Sequence, residues 1–364
     1  MSVAAPIFCM VTSPPRSHSR FSSSMKTSVM SLRGANNRPN NKQEIMTPGD
    51  MLLAKMNTRT ASTHEKKQVL SDYWKQIRQP AADTIAHDQL CGKLLQHTPI
   101  FQQDLLVKSF EIGPDYKMSI VALAKNLQET EINHFKSMGL NEDGFGSTQE
   151  MTKRDLVWII RKLHIHVNRY PSWGDIVQVT NWLYESGKTG LRSDSIVSDV
   201  KTGEILLLAS CGLVMMNKKT RKVSKFIEEA KEEIRPHLMP NCSPIVEDVR
   251  NFSQVDFDKT EYIHTDLKPG WNDLDVNQHV NNTKYVDWFL ESTPRTILKT
   301  HELSFITLEY RKECYGDAVL LSLTREPRRS DHLSMNNGRI EFEHWLCLDS
   351  GPLVVRGRTM WKPR

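Results

Sequence analysis

The stretch Arg169-Tyr170-Pro171-Ser172-Trp173-Gly174-Asp175-Ile176-Val177 has a counterpart 142 residues further on, Arg311-Lys312-Glu313-Cys314-Tyr315-Gly316-Asp317-Ala318-Val319. Arg, Gly, Asp and Val recur in place, and an aromatic residue fills the same slot. Gly-Asp ahead of a strand is a common turn, so chance alone can produce one such pair. The setting favours duplication: both copies occupy the same point in a repeated order of elements.

That order is read outward from the pair. In the first half, Leu105-Leu106-Val107 is expected to open a strand. A helix is expected over 119–138, with Ile120, Leu123, Leu127, Ile132 and Phe135 at helical spacing and Gly139 as its stop. Strands are expected over 155–168, 175–184, 192–199 and 204–217, and Leu163-His164-Ile165-His166-Val167 alternates as a half-buried strand does. A charged helical stretch, 226–233, leads into a Pro-containing connector ending near residue 250. The second half repeats the scheme. A strand is expected over 259–265 and a helix over 282–292, with Tyr285, Val286, Phe289 and Leu290 on one face and Pro294 closing it. Strands follow over 303–311, 318–323, 339–348 and 353–361. One helix and four antiparallel strands, twice over, describe an α+β chain in which each sheet wraps a central helix.

The densest polar cluster is Asp273-Leu274-Asp275-Val276-Asn277-Gln278-His279-Val280-Asn281-Asn282, directly ahead of the second helix. An extended backbone would turn Asp275, Asn277 and His279 to one side. Asn281 or Asn282 is suited to cap the helix, whose N-terminal N–H groups can polarise a carbonyl. An Asn-rich turn and cap explains the same residues without chemistry. Glu313 and Cys314 form a second candidate, a carboxylate beside a thiol, where the first half has Pro171-Ser172. A cysteine is more often a small core residue than a nucleophile. His164 and His166 lack a third metal ligand, and a solvated strand face is the better account of them. Lys218, Lys219, Arg221, Lys222 and Lys225 form a basic run that is either solvated or meets an acidic partner.

Charge separates the chain's beginning from the rest. Six basic residues and no acidic one fall in residues 1–43, which also hold nine serines. The remaining chain has 42 basic and 43 acidic residues, so the formal charge of +5 resides in the leader. A Ser-rich, Arg-containing, acid-free leader without an apolar core has the composition of an organelle transit peptide, ending at 43 or extending to about 50–60. A near-neutral remainder argues against a nucleic-acid binder. The longest apolar run, 205–216, is too short to span a bilayer, so stable membrane insertion is not expected. Six cysteines without paired spacing fit free thiols, with neither disulfide frame nor zinc site.

Ordered motifs from residue 105 to the end carry a family resemblance. They include 108–113 (Lys-Ser-Phe-Glu-Ile-Gly), 127–130 (Leu-Gln-Glu-Thr), 133–136 (Asn-His-Phe-Lys), 143–148 (Asp-Gly-Phe-Gly-Ser-Thr) and 168–175. They continue through Ser186-Gly187-Lys188, 201–205, 215–218, the 273–282 cluster, 310–314 and 355–359. In these the chain resembles the plant plastidial acyl-[acyl carrier protein] thioesterases, and most the class preferring saturated chains. The resemblance implies two tandem hotdog units: 105–240, holding the acyl chain, and 250–364, carrying the chemistry. A poorly ordered linker would occupy 44–104. It implies hydrolysis of an acyl-carrier thioester to a free fatty acid in the plastid stroma, with neither metal nor organic cofactor. The matching catalytic positions are Asp275, Asn277, His279, Glu313 and Cys314. The partner would be acyl carrier protein, and both monomer and homodimer stay open.

Two mechanisms suit these residues. In one, Cys314 attacks with His279 as base and Asn277 as its orienter. In the other, which the activated thioester favours, Asp275 or Glu313 drives water or attacks directly. Departures from the family pattern include Asp287 in place of a glycine in the second helix, Pro114 and Tyr116, and Ser193, Ser195 and Ser198 around Asp194. Leu207-Leu208 and the Cys211–Leu213 run are further departures, and they leave a diverged acyl- or carrier-binding protein without turnover as the alternative.

Overall fold

The computed structural model describes residues 92–364 apart from 96–97, 141–143, 189, 241, 256–259 and 327–337. The expected transit peptide, the 44–91 part of the expected linker and the short apolar patch Met51–Ala54 lie outside the described residues.

Each half begins with a strand that feeds a helix through a tight loop. In the first half these are β2 (Ile100–Leu106) and α1 (Ile120–Ser137), preceded by the two-residue β1 (Lys93–Leu94). Strand β2 begins five residues before the expected boundary and ends where a strand was expected to open. Its alternating residues Phe101 and Gln103 are buried, and the apolar triplet 105–107 forms only its exit. Helix α1 starts because the Ser119 side chain accepts the Ala122 N–H, 3.1 Å away, and it stops just before Gly139, which has φ +75°. Its buried face holds Ile120, Leu123, Leu127 and Phe135 as expected. Thr130 and His134 are buried there too, while Ile132 is only half-buried.

A short helix α2 (Gln149–Lys153) precedes four long strands: β3 (Leu156–Val167), β4 (Ile176–Ser186), β5 (Gly190–Asp199) and β6 (Ile205–Asn217). Helix α3 (Glu228–Ile234) then opens the connector. The second half has β7 (Tyr262–Leu267), α4 (Lys284–Glu291), the brief α5 (Arg295–Thr300), β8 (His301–Tyr310), β9 (Leu320–Arg325), β10 (Ile340–Leu348) and β11 (Leu353–Pro363). Pro294 does not close α4; it stands at the start of α5.

All described strands join one antiparallel sheet, ordered β1-β2-β4-β5-β6-β3-β8-β11-β10-β9-β7. The order is a mirror about the β3–β8 seam, where Lys162–His166 pair with Phe305–Glu309. Each half thus repeats one topology around its own helix, as the duplicated pattern predicts. Gly357 shows the close approach of helix and sheet that this requires. A Cβ there would lie 2.3 Å from the Phe289 ring of α4 and 2.7 Å from the Thr307 carbonyl. Fully buried Phe289, Phe342 and Leu346 fill the second interior, at about 1.5–3 kcal/mol each by area.

The ladder also corrects the register of the repeat. Met118 N–H bonds the Pro171 carbonyl at 2.8 Å, and Val280 N–H bonds the Cys314 carbonyl at 2.9 Å. Asp175 N–H to Ser172 and Ala318 N–H to Tyr315, both 3.1 Å, keep the same correspondence. Position 171 therefore matches 314, one residue away from the sequence alignment. Tyr170-Pro171, not Pro171-Ser172, stand where Glu313-Cys314 stand. Matching Gly-Asp pairs compares turn chemistry, whereas hydrogen bonding fixes which residues face the helix. Gly174 is left-handed at φ +82° and Gly316 is not.

Candidate active site

The 273–282 cluster is not extended. Its ends pair as Leu274 opposite Val280, and Asp275 N–H bonds the His279 carbonyl at 2.7 Å. Between them the chain reverses through Gln278 at φ +62°. Asp275 organises this turn: its Oδ1 accepts the N–H of Asn277 at 2.8 Å and of His279 at 3.0 Å. Short carboxylates commonly close such loops on their own backbone. The Asn277 side chain is exposed at the turn.

The helix cap differs from expectation as well. Thr283 is the N-cap of α4, without a side-chain cap bond. Asn281 Oδ1 accepts from the Thr283 N–H at 3.0 Å and its hydroxyl at 2.8 Å. Asn282 instead reaches across to α1, donating to Gln128 Oε1 at 2.8 Å. The N–H groups of Lys284 and Val286 bond the carbonyls of Asn281 and Thr283. Three N–H groups at this helix start are therefore already committed within the chain.

His279 pairs in a backbone bridge with Tyr315, and their rings meet edge to face with centroids 4.8 Å apart. This bridge brings the turn beside Glu313 and Cys314. His279 Nε2 lies 3.9 Å from Glu313 Oε2. Burial pulls the His279 pKa below its ordinary value; Asp275 opposes the shift and Arg221 adds to it. The imidazole is thus biased toward its neutral form.

Glu313 and Cys314 are adjacent in sequence but face different surroundings. Glu313 is half-buried, and its Oε1 pairs with Arg221 from the first half. Cys314 is 1% exposed and points into the interior. Burial pushes its thiol pKa up, against a hydrogen bond with Tyr285 and the charge of Lys312. A buried neutral thiol is a poor nucleophile.

Arg221 was legible only as one member of the basic run. It follows β6 in a turn closed by Asn217, whose Oδ1 accepts the N–H groups of Lys219 at 3.1 Å and Thr220 at 2.9 Å. The run's Lys218, Lys219, Lys222 and Lys225 are exposed, and Lys219 Nζ lies 2.6 Å from Asp155. Asp287 is paired locally: its Oδ2 lies 2.7 Å from Lys284 Nζ. It lines a polar cleft with Val121, Lys125, Asn272, Asp273 and Asn281.

His164 is not solvated, contrary to expectation. It is buried at the seam, 2.8 Å from the Thr307 hydroxyl, and burial lowers its pKa to about 4. His166 is half-buried against Phe305. Among the described residues no group of three His, Cys, Asp or Glu could hold a metal ion. The described cysteines Cys211, Cys242, Cys314 and Cys347 are free. Among the described residues no helix is long and apolar enough to cross a membrane.

Residues 98–234 match the acyl-ACP thioesterase N-terminal domain, and residues 257–363 match the acyl-ACP thioesterase C-terminal domain. A palmitoyl-acyl carrier protein thioesterase, chloroplastic, of Gossypium hirsutum is 45% identical over 314 residues, 86% of this chain and 75% of that protein. A dodecanoyl-[acyl-carrier-protein] hydrolase, chloroplastic, of Cinnamomum camphora is 44% identical over 268 residues, 74% of this chain and 69% of that protein. The solved 12:0-ACP thioesterase from Umbellularia californica superposes with a TM-score of 0.67 at 41% identity, covering 74% of this chain and all of that one.

Proposed function

The chain belongs to the acyl-ACP thioesterase family, and from that premise we propose which residues cleave its thioester. It is an acyl-[acyl carrier protein] hydrolase with the tandem hotdog fold, and it is chloroplastic like its named relatives. We place it in the stroma, its leader removed on import. We assign the acyl chain to the first half, up to about residue 240, and the chemistry to the second, from about 250.

The observation that carries the assignment is the opposite orientation of two neighbours. Glu313 sits between His279 and Arg221 at the surface, while the Cys314 thiol is turned inward against Tyr285. This supports water rather than cysteine as the nucleophile. Asp275 Oδ2 accepts a proton from water as its oxygen adds to the thioester carbonyl. The Asn277 carboxamide donates to the resulting oxyanion. Collapse breaks the carbon–sulfur bond, and Asp275 returns its proton to the departing thiolate. Water and thioester thereby become acid and thiol, with no net proton change on the enzyme. His279, neutral and backed by Glu313, orients the water. The exposed lysines beside Glu313 offer a surface for an acidic carrier.

The test is a single turnover of acyl-carrier thioesters of several chain lengths in oxygen-18 water. Direct water attack labels the released fatty acid and leaves Asp275 unlabelled. Label appearing in the Asp275 carboxylate would mean an anhydride, and a trapped acyl-Cys314 would mean the thiol route.

A further inference from the structure

We propose that Arg221, supplied by the first half, is a positioning residue for Glu313, so that the catalytic site of the second half is incomplete without the first. The inference rests on the reading of Glu313 and His279 as site residues. Two separate observations support it. The guanidinium pairs with Glu313 Oε1 while His279 faces Oε2, so one carboxylate is held between a cation and the imidazole. Arg221 also adopts φ +55°, a conformation that side chains other than Gly, Asn and Asp seldom take.

The turn is built to hold that conformation. Arg221 N–H donates to the Asn217 carbonyl at 2.9 Å, and Asn217 N–H donates to the Lys222 carbonyl at 3.0 Å. Met216 then pairs with Val223 as the chain returns. The reversal brings Arg221 to Glu313 of the second half, although Arg221 is itself exposed, as are Lys218, Lys219 and Lys222. One basic run therefore has two duties: its lysines attract a carrier, and its arginine fixes a carboxylate. A planar guanidinium suits the second duty because it fixes direction as well as charge.

The charged and titratable groups facing His279 are Asp275, Glu313 and Arg221, with the Tyr315 ring edge-on to the imidazole. Arg221 lowers the His279 pKa. Removing it favours protonation of the imidazole. That moves the acid limb of the kcat profile to higher pH.

The experiment measures kcat and KM for acyl-carrier thioester across pH in wild type, R221Q, R221K and a K218Q/K222Q double variant. R221Q should lower kcat about 10–100-fold with KM changed by no more than about threefold, because a displaced catalytic group costs rate rather than affinity. Its acid limb should move upward. R221K, which keeps the charge but not the planar fork, should recover only part of kcat, while the lysine double variant should raise KM and flatten its salt dependence. If R221Q changes only KM and salt dependence, with kcat and the acid limb as in wild type, Arg221 is one more docking cation and the inference is overturned. Wild-type protein inert toward every acyl-carrier thioester would instead overturn the hydrolase reading beneath it.

Discussion

The two halves share a loop almost bond for bond, and only one of them carries the Asp275, Asn277, His279, Glu313 and Cys314 set proposed to do the chemistry. In the first, Gly113 N–H bonds the Lys117 carbonyl at 2.8 Å; in the second, Asp275 N–H bonds that of His279 at 2.7 Å. Tyr116 and Gln278 are both left-handed, at φ +60° and +62°. Glu111 and Asp273 each accept the N–H three residues before them, at 2.8 Å. By this correspondence Gly113 stands for Asp275, Asp115 for Asn277, Lys117 for His279, and Tyr170-Pro171 for Glu313-Cys314. The first loop's charges are also taken up elsewhere: Lys117 pairs with Glu302 and Asp115 with Arg364. The shared backbone presents five side-chain positions, and the two halves fill all five differently.

The comparison breaks most visibly at its carboxylates. D275N should lower kcat by about 10³-fold, the range of a lost general base. D115N, on the matching loop, should leave kcat within about twofold, since a surface ion pair contributes little. The pair is measured by steady-state release of free acid. Comparable losses in both would mean that the first loop also meets the reacting thioester.

The two halves of the sheet differ at a matching pair too. On β10 and β11, Glu343 lies opposite Arg358, and on β5 and β6, Asp194 lies opposite Ser210. Arg358 is 2% exposed and also pairs with Asp248 from the connector. Burial would raise the Glu343 pKa, but bonds from Arg358, Ser253 and Arg325 outweigh it and hold the group low. At Asp194 burial wins over bonds from Ser210, Ile245 and Tyr184, and the pKa is raised. R358M strands buried carboxylates and should cost about 3–5 kcal/mol of stability. S210A leaves Asp194 its other two donors and should cost about 1 kcal/mol. Urea unfolding of both variants checks the difference, and equal costs would erase it.

The interiors diverge in how they answer pH. In the first half the carboxyl of Glu131, tucked against Ser193 and Cys211, is pushed up to about 7 by burial. Beside it His134, held near 4 by burial, bonds Asn181 at 2.6 Å. The second interior has His344, held near 3 by burial, between the hydroxyls of Thr324 and Thr359. A raised carboxyl keeps its proton when folded, so stability falls as pH rises from 4.5 through about 7. The buried histidines act in the opposite direction: folded pKa values below 6.5 withdraw stability as pH falls from 6.5 through about 4 to 3. E131Q should therefore gain about 1–2 kcal/mol over wild type near pH 8, allowing for the residue's partial exposure. It should leave the acid-side loss unchanged. Melting temperatures of the two proteins across pH test this, and parallel curves would remove Glu131 from the account.

The parts legible in sequence are those set by local pattern. Period-2 and period-3.6 apolar spacing places the long strands and both central helices, and the repeat announces the two-fold architecture. The 273–282 cluster and the Glu313-Cys314 pair, singled out separately in the sequence, come together in the structure through the His279–Tyr315 bridge. What is not legible depends on distant partners. The alternation of Asp275, Asn277 and His279 suggests a strand, but Asp275 folds the segment back on itself through two N–H bonds. Asn282 has a cap residue's composition, yet its carboxamide bonds a glutamine on the other helix. Arg221 lies 92 residues before Glu313, and the link between them exists only once β3 and β8 pair. Chain length is equally non-local: relatives at 45% and 44% identity are named for palmitoyl and dodecanoyl substrates.

The smallest effect should be the one the halves share. Tyr116 and Gln278 sit at the same loop position with left-handed backbone, and neither is a glycine. Glycine would relieve the conformation but would also give the unfolded chain more freedom, and the two effects nearly cancel. Asparagine avoids that cancellation, because it tolerates the left-handed region while restricting the unfolded chain as other residues do. Y116N and Q278N should each raise stability by about 0.5 kcal/mol, with the same sign in both halves. Gln278 adjoins His279, so Q278N should also leave kcat within about twofold if the backbone of the turn, rather than the glutamine side chain, serves the reaction. Thermal unfolding and steady-state turnover of the two variants measure both quantities. Opposite signs of stability change would show that the loops share bonds but not strain, and that the second loop's conformation is held by its catalytic side chains.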